Sequence, residues 1–202
     1  MNATKEALRR FFRQKRNLFV KENKSALTDH FYQKYSQVIA DLLSHHPQIL
    51  QNPSRPINVG AFYPVKNEIN CLSIIRNLQR MTTYTFSLPV VPTDGSRVLT
   101  FREYKEESGL VPGAFNIPVP SENAPIVYPD ALLIPMLCFN QRKYRLGYGG
   151  GYYDSTITSL KEKKPDLMTI GIAFDFQESQ EIPLEQHDIM LDYILTEDRL
   201  LH

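Results

Sequence analysis

Residues 131–139, ALLIPMLCF, form a nearly uninterrupted apolar run, and the loop RLGYGGGYYD follows shortly after it at 145–154. The run has the length and composition of a strand that is buried on both faces. The next residues, STITSLKEK at 155–163, have the pattern of a helix. This order of strand, glycine loop and helix is typical of α/β proteins, and it places the loop beyond the end of a core strand.

The loop is almost bare main chain, because four of the five residues at 147–151 are glycine. Glycine adopts positive φ angles without steric cost and lets a ligand approach the backbone N–H groups. Between a strand and a helix start, such N–H groups and the positive end of the helix dipole can hold an anion, and Arg145 adds a charge beside them. The pattern favours a phosphate site, with a tight surface turn as the alternative.

The loop matches neither of the two common phosphate-binding patterns. A Walker A loop needs Lys and then Ser or Thr after its last glycine, and a dinucleotide fingerprint needs glycine where Tyr152 stands. On the residues alone, Tyr152 and Tyr153 are also explained as packing residues whose hydroxyl groups form hydrogen bonds. Asp154 is also explained as the N-cap of the helix that follows it.

Composition restricts the class of protein. With 202 residues, of which 42% are hydrophobic, the chain is long enough for one domain with a sizeable core, so we expect a single domain over residues 1–202. The net charge of +1 gives no basic field of the kind that attracts nucleic acid or an anionic membrane. We therefore expect no nucleic-acid or membrane partner, and a small ligand that is held by local contacts.

The cysteines and the amino terminus indicate the compartment. Cys71 and Cys138 lie in apolar surroundings and lack metal-ligand spacing, which favours buried free thiols and a reducing cytosol. Residues 1–16 carry charge throughout, unlike a signal peptide, and no segment has the apolar length of a membrane span. We expect a cytoplasmic protein that is a monomer.

Hydrophobic periodicity and turn residues predict alternating helices and strands. In addition to 155–163, helices are predicted at 4–21, 28–44 and 67–80. In addition to 131–139, strands are predicted at 57–63, 84–91, 98–104, 167–174 and 193–195. Their alternation predicts a single three-layer α/β domain, with a mostly parallel sheet and helices on both faces. Prolines between 106 and 130 indicate an irregular excursion, and His45 and His46 are predicted to be solvated loop residues.

Several segments of the chain resemble the 5-formyltetrahydrofolate cyclo-ligase family, also called methenyltetrahydrofolate synthetases. The most specific is LGYGGGYYD at 146–154, which is close to the family pattern LGxGxGYYD. The other matches, in the family's order, are Lys5, Leu8 and Arg9, residues 63–68, residues 115–118, residues 182–183 and residues 196–197. The resemblance implies an enzyme that couples ATP hydrolysis to conversion of 5-formyltetrahydrofolate into 5,10-methenyltetrahydrofolate, with Mg²⁺ as cofactor.

The resemblance also implies which residues bind ATP. Arg145 and Tyr152 are expected to be catalytic. The residues expected to contact ATP are Lys5, Arg9, Arg145, Leu146, Gly147, Tyr148, Gly149, Gly150, Gly151, Tyr152 and Tyr153. Without the resemblance, a solvated basic helix face explains Lys5 and Arg9 better.

Folate and metal ligands are implied in the same way. The residues expected to contact the folate are Tyr63, Glu68, Phe115, Tyr148, Gly149, Gly150, Gly151 and Tyr152. An aromatic ring can stack on the pterin, and a carboxylate can accept its paired N–H donors. Glu68 is otherwise a first-turn acid of the helix after Asn67, and Phe115 is otherwise a core residue. Asp154 and Asp188 are expected to bind Mg²⁺ through carboxylate oxygens, although on sequence alone Asp188 is an ordinary loop acid.

The chain departs from the family pattern at a few positions. Residues 140–144, NQRKY, stand where many members have Asp and Gly before the arginine, and Tyr148 and Gly150 stand where some relatives have basic residues. The phosphate charge is then expected to fall on Lys5, Arg9 and Arg145. Two other classes remain as alternatives: a sugar-phosphate isomerase or transferase on a related scaffold, and a non-catalytic nucleotide- or folate-binding protein.

Overall fold

The computed structural model describes residues 4–47 and 54–202. The main helices are α1 (Lys5–Glu22), α2 (Asp29–Ser44), α3 (Cys71–Met81) and α4 (Tyr152–Lys163). The first six strands are β1 (Asn58–Gly60), β2 (Thr85–Val90), β3 (Thr100–Tyr104), β4 (Val111–Pro112), β5 (Pro118–Val119) and β6 (Ala131–Pro135). The remaining strands are β7 (Cys138–Phe139), β8 (Arg145–Leu146), β9 (Met168–Ile172), β10 (Tyr193–Leu195) and β11 (Leu200–Leu201).

Within the described residues, the main sheet has seven strands in the order β11-β10-β9-β6-β1-β2-β3. The inner strands β10, β9, β6, β1 and β2 run parallel, and the edge strands β3 and β11 are antiparallel to their neighbours. Parallel neighbours need a crossover connection, which α3 provides between β1 and β2 and α4 provides between β6 and β9. The predicted mostly parallel sheet is confirmed, whereas β11 was not predicted.

The central strand β6 explains why the run at 131–139 is apolar without alternation. Ala131 and Leu133 belong to a core cluster with α2 and α3 on one face. Leu132 and Ile134 belong to a second cluster with α4 on the other face. All four side chains are fully buried, and each leucine or isoleucine contributes about 1.5–3 kcal/mol by leaving water. The predicted fold class, a three-layer α/β domain with helices on both faces, is confirmed.

The first half of helix α1 lies beyond the carboxyl end of β6, whereas Phe19 and Val20 in its second half pack against the first core cluster. Its residues Leu8 and Phe12 pack in a small third cluster with Leu137, Cys138 and Leu146 from the β7–β8 hairpin. The buried face of α1 continues with Arg16, at the same spacing of four residues. The helix therefore covers the segment that leads into the glycine loop.

The apolar run 131–139 is not one strand, contrary to the sequence prediction. β6 ends at Pro135, and β7 pairs with β8 in a separate antiparallel hairpin. Proline has no N–H to donate to a sheet ladder, which suits the last position of a strand. The residues that follow stay apolar because they are buried: Met136 is 1% exposed and Leu137 is 0% exposed.

Two helix starts also differ from prediction. Helix α3 begins at Cys71, because the Asn70 side chain caps it by accepting from the Ser73 N–H. Glu68 therefore precedes the helix and is not a first-turn acid. Helix α4 begins at Tyr152, directly after Gly151, which has φ +69°. Asp154 is thus the third residue of the helix and not its N-cap.

The histidine prediction is half right, and the cysteine prediction is confirmed. His45 is exposed, but His46 is buried, and its Nε2 lies 2.9 Å from the Asp166 carbonyl oxygen. Cys71 and Cys138 are buried free thiols, and burial raises the pKa of each to about 12. Among the described helices, none combines the length and the apolar composition that crossing a bilayer requires.

The strand order locates a crevice in the sheet. From β1 the chain continues to β2 on one side, whereas β6, β9 and β10 are added on the other side. In open α/β sheets, ligands bind beyond the carboxyl ends of the strands at such a reversal. The segments that follow the carboxyl ends of β1 and β6 are 61–68 and 136–151. They contain most of the predicted site residues.

Candidate active site

The glycine loop joins β8 to α4, and most of its glycines are required by its shape. Gly149 has φ +105° and Gly151 has φ +69°, which side chains with a Cβ rarely adopt. A Cβ on Gly150 would lie 2.7 Å from the Tyr152 ring. The first N–H groups of α4 have no partner within a helix by its geometry, so they are suited to an anion.

Arg9 from α1 lies against this loop. Its Nε donates to the carbonyl oxygen of Gly147 at 3.1 Å. A Cβ added to Gly149 would come within 3.3 Å of the Arg9 Cζ. The structure therefore brings together a predicted phosphate cation and the predicted phosphate loop, which are 138 residues apart in sequence.

Arg145 and Asp154 form a nearly buried ion pair. The Arg145 Nη2 lies 2.9 Å from the Asp154 Oδ1, and the Arg145 side chain is 4% exposed. The same carboxylate oxygen accepts from the Ile189 N–H at 3.1 Å, while the Arg145 Nη1 donates to the Ile189 carbonyl at 3.3 Å. The pair thus ties the start of α4 to the segment that contains Asp188.

Lys5 and Asp188 form a second ion pair. The Lys5 Nζ lies 2.8 Å from the Asp188 Oδ2 and 3.2 Å from the Glu185 Oε2. Burial alone would lower the pKa of Lys5 and raise that of Asp188, but their hydrogen bond and charge attraction outweigh it. The pKa of Lys5 is therefore raised and that of Asp188 is lowered, so both groups are charged at neutral pH.

Further ligand atoms lie beside Asp188. One possible ligand atom from each of Glu185, His187 and Asp188 lies within 4.8 Å of the other two. Asp154 is held to the same segment through Ile189. Neither Glu185 nor His187 was predicted, because nothing in the loop sequence distinguishes them from surface polar residues.

Glu68 and Tyr148 connect the two predicted substrate regions. The Tyr148 hydroxyl donates to the Glu68 Oε1 at 2.7 Å, and the Val65 N–H donates to the Glu68 Oε2 at 2.9 Å. Burial raises the pKa of Glu68, and these two hydrogen bonds oppose the rise. A residue after β1 and a residue of the glycine loop are therefore in direct contact.

The other predicted aromatic residues have different environments. Tyr63 is half-buried just after β1, and Tyr152 and Tyr153 pack against the core cluster around α4. Burial, and next the charge of Glu68, raise the pKa of Tyr153. Phe115 is 72% exposed with φ +57°, so its alternative role as a core residue is wrong. No hydrogen bond or ring contact within the described residues joins Phe115 to Glu68 or Tyr148.

Two features of the site were missed by the sequence analysis. Arg16 is buried and donates to the Tyr148 hydroxyl. A cavity of about 550 Å³ lies beside α4, and its lining includes Gly151 and Asp154 together with Arg97 and Gln186. The burial of Arg16 could have been predicted from its spacing of four residues from Phe12 and eight from Leu8. Nothing in the sequence around Arg97 and Gln186 predicts that they line a cavity.

The family model described as the 5-formyltetrahydrofolate cyclo-ligase family matches residues 1–197. The chain belongs to this family. The predicted resemblance to the 5-formyltetrahydrofolate cyclo-ligases is thereby confirmed, and it extends over nearly the whole chain.

Individual relatives are distant in sequence but match almost the whole of this chain. The 5-formyltetrahydrofolate cyclo-ligase of Escherichia coli K12 is 27% identical over 185 residues, which is 90% of this chain and 98% of the relative. The enzyme of the same name from Mycoplasma pneumoniae is 27% identical over 194 residues, which is 96% of this chain and 99% of the relative. Neither relative leaves a large part of its length unmatched.

Solved structures agree on the fold. A 5,10-methenyltetrahydrofolate synthetase from Mycoplasma pneumoniae has a TM-score of 0.69 and 25% identity, with coverage of 96% of this chain and 99% of that one. The synthetase from Aquifex aeolicus has a TM-score of 0.70 at 23% identity, with coverage of 97% and 91%. The Aquifex likeness supports the fold alone.

Proposed function

We propose that this protein cyclises 5-formyltetrahydrofolate to 5,10-methenyltetrahydrofolate with hydrolysis of ATP. The observation that carries the proposal is the 2.7 Å contact between Tyr148 and Glu68. This contact supports a single site for both substrates, because it joins a loop suited to phosphates to a carboxylate suited to the pterin. A phosphoryl group bound at the loop would then lie beside a folate bound at Glu68.

The chemistry needs positioning more than a protein nucleophile. The formyl oxygen attacks the γ-phosphorus, a new O–P bond forms, and the bond to the ADP oxygen breaks. The neighbouring bridge nitrogen then adds to the formyl carbon of the resulting iminium phosphate and loses its proton. Departure of inorganic phosphate gives the methenyl ring. Such a reaction depends on alignment and on neutralisation of moving charge.

The glycine loop and three cations are proposed to hold ATP. Backbone N–H groups at 147–151 and the start of α4 would contact the phosphates, as anions bind at helix N-termini. Arg9 is already placed over the loop, and Arg145 lies at its base. Lys5, in the first turn of α1, contacts Asp188, which lies in the segment tied to the start of α4. Arg145 is the catalytic cation in this proposal, with Tyr152 as the aromatic residue shared by both substrates.

Asp154 and Asp188 are proposed to hold Mg²⁺. Both contacts described for the Asp154 carboxylate fall on Oδ1, and both described for the Asp188 carboxylate fall on Oδ2. Each carboxylate therefore has a second oxygen for a hard cation, which prefers such ligands. The donor set fits Mg²⁺. The ion would supply neutralisation of phosphate charge during transfer.

Glu68 is proposed to recognise the folate, with Tyr63 and Phe115 as aromatic contacts. The Glu68 carboxylate faces the crevice region between β1 and the glycine loop, as its two partners show. Buried free thiols support a protein that acts in the cytoplasm, and we propose that it is a monomer. Size-exclusion chromatography with light scattering tests the monomer.

One assay separates this proposal from its rivals. Purified protein is mixed with 5-formyltetrahydrofolate, and methenyl absorbance and inorganic phosphate are measured with and without ATP and Mg²⁺. We expect both products only when folate, ATP and Mg²⁺ are all present. Absence of the methenyl product in the complete mixture would contradict the proposal. ATP or folate binding without turnover would instead indicate a non-catalytic binding protein.

A further inference from the structure

Arg16 is a charged residue in a place where a charge is costly. It lies on the apolar face of α1 with Leu8 and Phe12, and it is 1% exposed. A buried ion loses its hydration, and only good hydrogen bonds compensate for the loss. Apolar packing alone would be served better by a residue such as Leu or Met. The burial of Arg16 is therefore explained by the hydrogen bonds of its guanidinium group.

The guanidinium of Arg16 joins three separate segments. Its Nη1 donates to the Met136 carbonyl at 3.2 Å, just after β6. Its Nη2 donates to the Lys66 carbonyl at 3.0 Å and to the Tyr148 hydroxyl. The Arg16 Cζ also lies 5.8 Å from the centre of the Tyr148 ring. Arg16 thus fixes the glycine loop relative to the segment that carries Glu68.

Tyr148 is the middle member of a hydrogen-bond chain with one possible direction. Arginine only donates and an ionised carboxylate only accepts, so the proton of the Tyr148 hydroxyl points to Glu68. A hydroxyl that accepts from a cation becomes a stronger donor, because neighbouring hydrogen bonds polarise each other. The chain therefore runs from Arg16 through Tyr148 to the Glu68 carboxylate.

The Glu68 carboxylate keeps room for a ligand. An ionised carboxylate has about four lone-pair positions, two on each oxygen. Tyr148 uses one position on Oε1, and the Val65 N–H uses one on Oε2. No other hydrogen bond to this carboxylate is formed among the described residues, so one position on each oxygen is left, which suits a pair of parallel N–H donors such as the pterin presents.

We propose that Arg16 and Tyr148 are positioning residues that hold the Glu68 carboxylate for the paired N–H donors of the folate. This inference rests on the proposed function, because it needs the folate at Glu68. Its consequence is that a residue of the ATP loop sets the affinity for the other substrate. Tyr148 acts through Glu68, and Arg16 acts through Tyr148.

The surroundings of Glu68 set a pH dependence. Burial raises the pKa of Glu68, whereas the Val65 N–H, the Tyr148 hydroxyl and the charges of Arg16 and Lys66 lower it. The remaining groups that face it, Tyr153 and Cys71, have pKa values raised by burial, so they are neutral at pH 7. Loss of the Tyr148 hydroxyl removes one of the opposing contributions and should raise the Glu68 pKa further.

The test is Tyr148→Phe, which keeps the ring and removes the hydroxyl. Calorimetry without ATP should show about tenfold weaker binding of 5-formyltetrahydrofolate at pH 7, which corresponds to about 1.4 kcal/mol. The pH below which folate binding fails should also move upward. The control is Tyr128→Phe. The Tyr128 side chain is exposed near the amino end of β6, away from the site, and its hydroxyl lies 3.4 Å from the Lys163 Nζ. The control should bind folate like the parent.

A double-mutant cycle shows whether Tyr148 acts through Glu68. In a Glu68→Gln background, Tyr148→Phe should add little further loss of folate affinity. Arg16→Lys, which keeps the charge, should likewise add little to Tyr148→Phe. Parent-like affinity of Tyr148→Phe, or an equal loss in both backgrounds, would overturn the inference. If Arg16→Lys does not fold, the cycle between Tyr148 and Glu68 still decides.

The outcomes distinguish this inference from the proposed function. A parent protein that forms the methenyl product, together with a Tyr148→Phe variant of unchanged folate affinity, refutes only the positioning role. A parent protein that does not bind 5-formyltetrahydrofolate refutes the proposed function, and the positioning role with it.

Discussion

The ammonium group of Lys5 lies 2.8 Å from the carboxylate of Asp188. One residue is proposed to bind ATP phosphate and the other to bind Mg²⁺, so the ion pair places a phosphate ligand directly beside a metal ligand. On our proposal, Lys5 gains phosphate as a further anionic partner, and Asp188 binds the metal through its other oxygen, Oδ1.

Asp188→Asn tests the metal assignment. The amide keeps a weak oxygen donor but loses the charge, so the Mg²⁺ concentration for half-maximal rate should rise about tenfold, or about 1.4 kcal/mol. The control is Asp166→Asn, an exposed aspartate at the amino end of β9. Titration of both variants with Mg²⁺ under saturating ATP gives the comparison. An Asp188→Asn curve that coincides with the parent's would remove Asp188 from the metal site.

Asp154→Asn should also raise the Mg²⁺ requirement, but with a second effect. Arg145 is nearly buried and would lose its charged partner, which is costly for a desolvated guanidinium. The melting temperature should therefore fall by several degrees, more than that of Asp188→Asn, because Lys5 keeps Glu185 as a charged partner. Calorimetric melting curves of both variants, measured beside the Mg²⁺ titrations, separate the two effects. Parent-like values in both measurements would show that Asp154 serves neither purpose.

Gly149→Val tests the glycine loop as a phosphate cradle. Gly149 has φ +105°, and its Cβ would lie 3.3 Å from the Arg9 guanidinium. Valine should block ligand approach to the backbone and weaken ATP binding at least tenfold, or about 1.4 kcal/mol. The matched control is Gly109→Val, which also has positive φ but has open space around its Cβ. Unchanged nucleotide affinity in a folded Gly149→Val variant would exclude the cradle.

Glu68→Gln and Lys5→Ala should have opposite effects on the two substrates. Loss of the Glu68 charge removes charge-assisted hydrogen bonds worth about 1.5–3 kcal/mol each, so folate binding should weaken while ATP binding stays nearly intact. Lys5→Ala should weaken ATP binding and leave folate binding nearly intact, and Arg145→Ala should do the same. Calorimetry with each ligand separately measures the contrast. The reverse pattern would mean that the two substrate regions are interchanged.

Asp130 should contribute to stability at the amino end of β6, on the side of the sheet opposite the site. It is 2% exposed and accepts hydrogen bonds from Arg55, Lys164 and the Asn58 N–H. Burial alone would raise the pKa of Asp130, but these partners outweigh burial and lower it below 3.8. Arg55 and Lys164 are partly exposed, so we expect Asp130→Asn to cost about 2 kcal/mol in urea unfolding at pH 7.

The sign of the pH dependence follows from the lowered pKa. The carboxylate contribution is fully present above pH 3.8 and is lost as pH falls through the lower folded-state pKa. The stability difference between parent and Asp130→Asn should therefore be constant near neutrality and shrink below pH 3.8. A difference that stays constant into strong acid would show that the lost contacts are not charge-dependent.

Local pattern predicted most of the sheet but not every boundary. The run at 131–139 identified the central strand, because both faces of β6 are buried. Its end at Pro135 was missed, since the following residues are equally apolar for a different reason. The start of α4 was assigned to an aspartate cap, whereas a left-handed glycine performs that role. The hydrophobic pattern of the sequence indicates which residues are buried, but it does not indicate which element of the fold buries them.

The site was less accessible to sequence reasoning than the sheet. The glycine loop is visible locally, and family resemblance named Lys5, Arg9, Glu68 and Asp188. The pairing of Lys5 with Asp188 joins residues 183 positions apart, so no local pattern contains it. Arg16 was missed because a charged residue on a helix is normally assigned to the solvated face. Its burial depends on carbonyl groups and a tyrosine from distant segments.

The position of α1 has a consequence for how the protein loses activity. The buried apolar residues of its first half, Leu8 and Phe12, pack in the small cluster with the β7–β8 hairpin, apart from the two large cores. Local opening of such a segment costs less free energy than unfolding of the whole chain. It would withdraw Lys5 and Arg9 together while the sheet stays intact. On heating, we expect catalysis to fail while the circular dichroism of the sheet is still native.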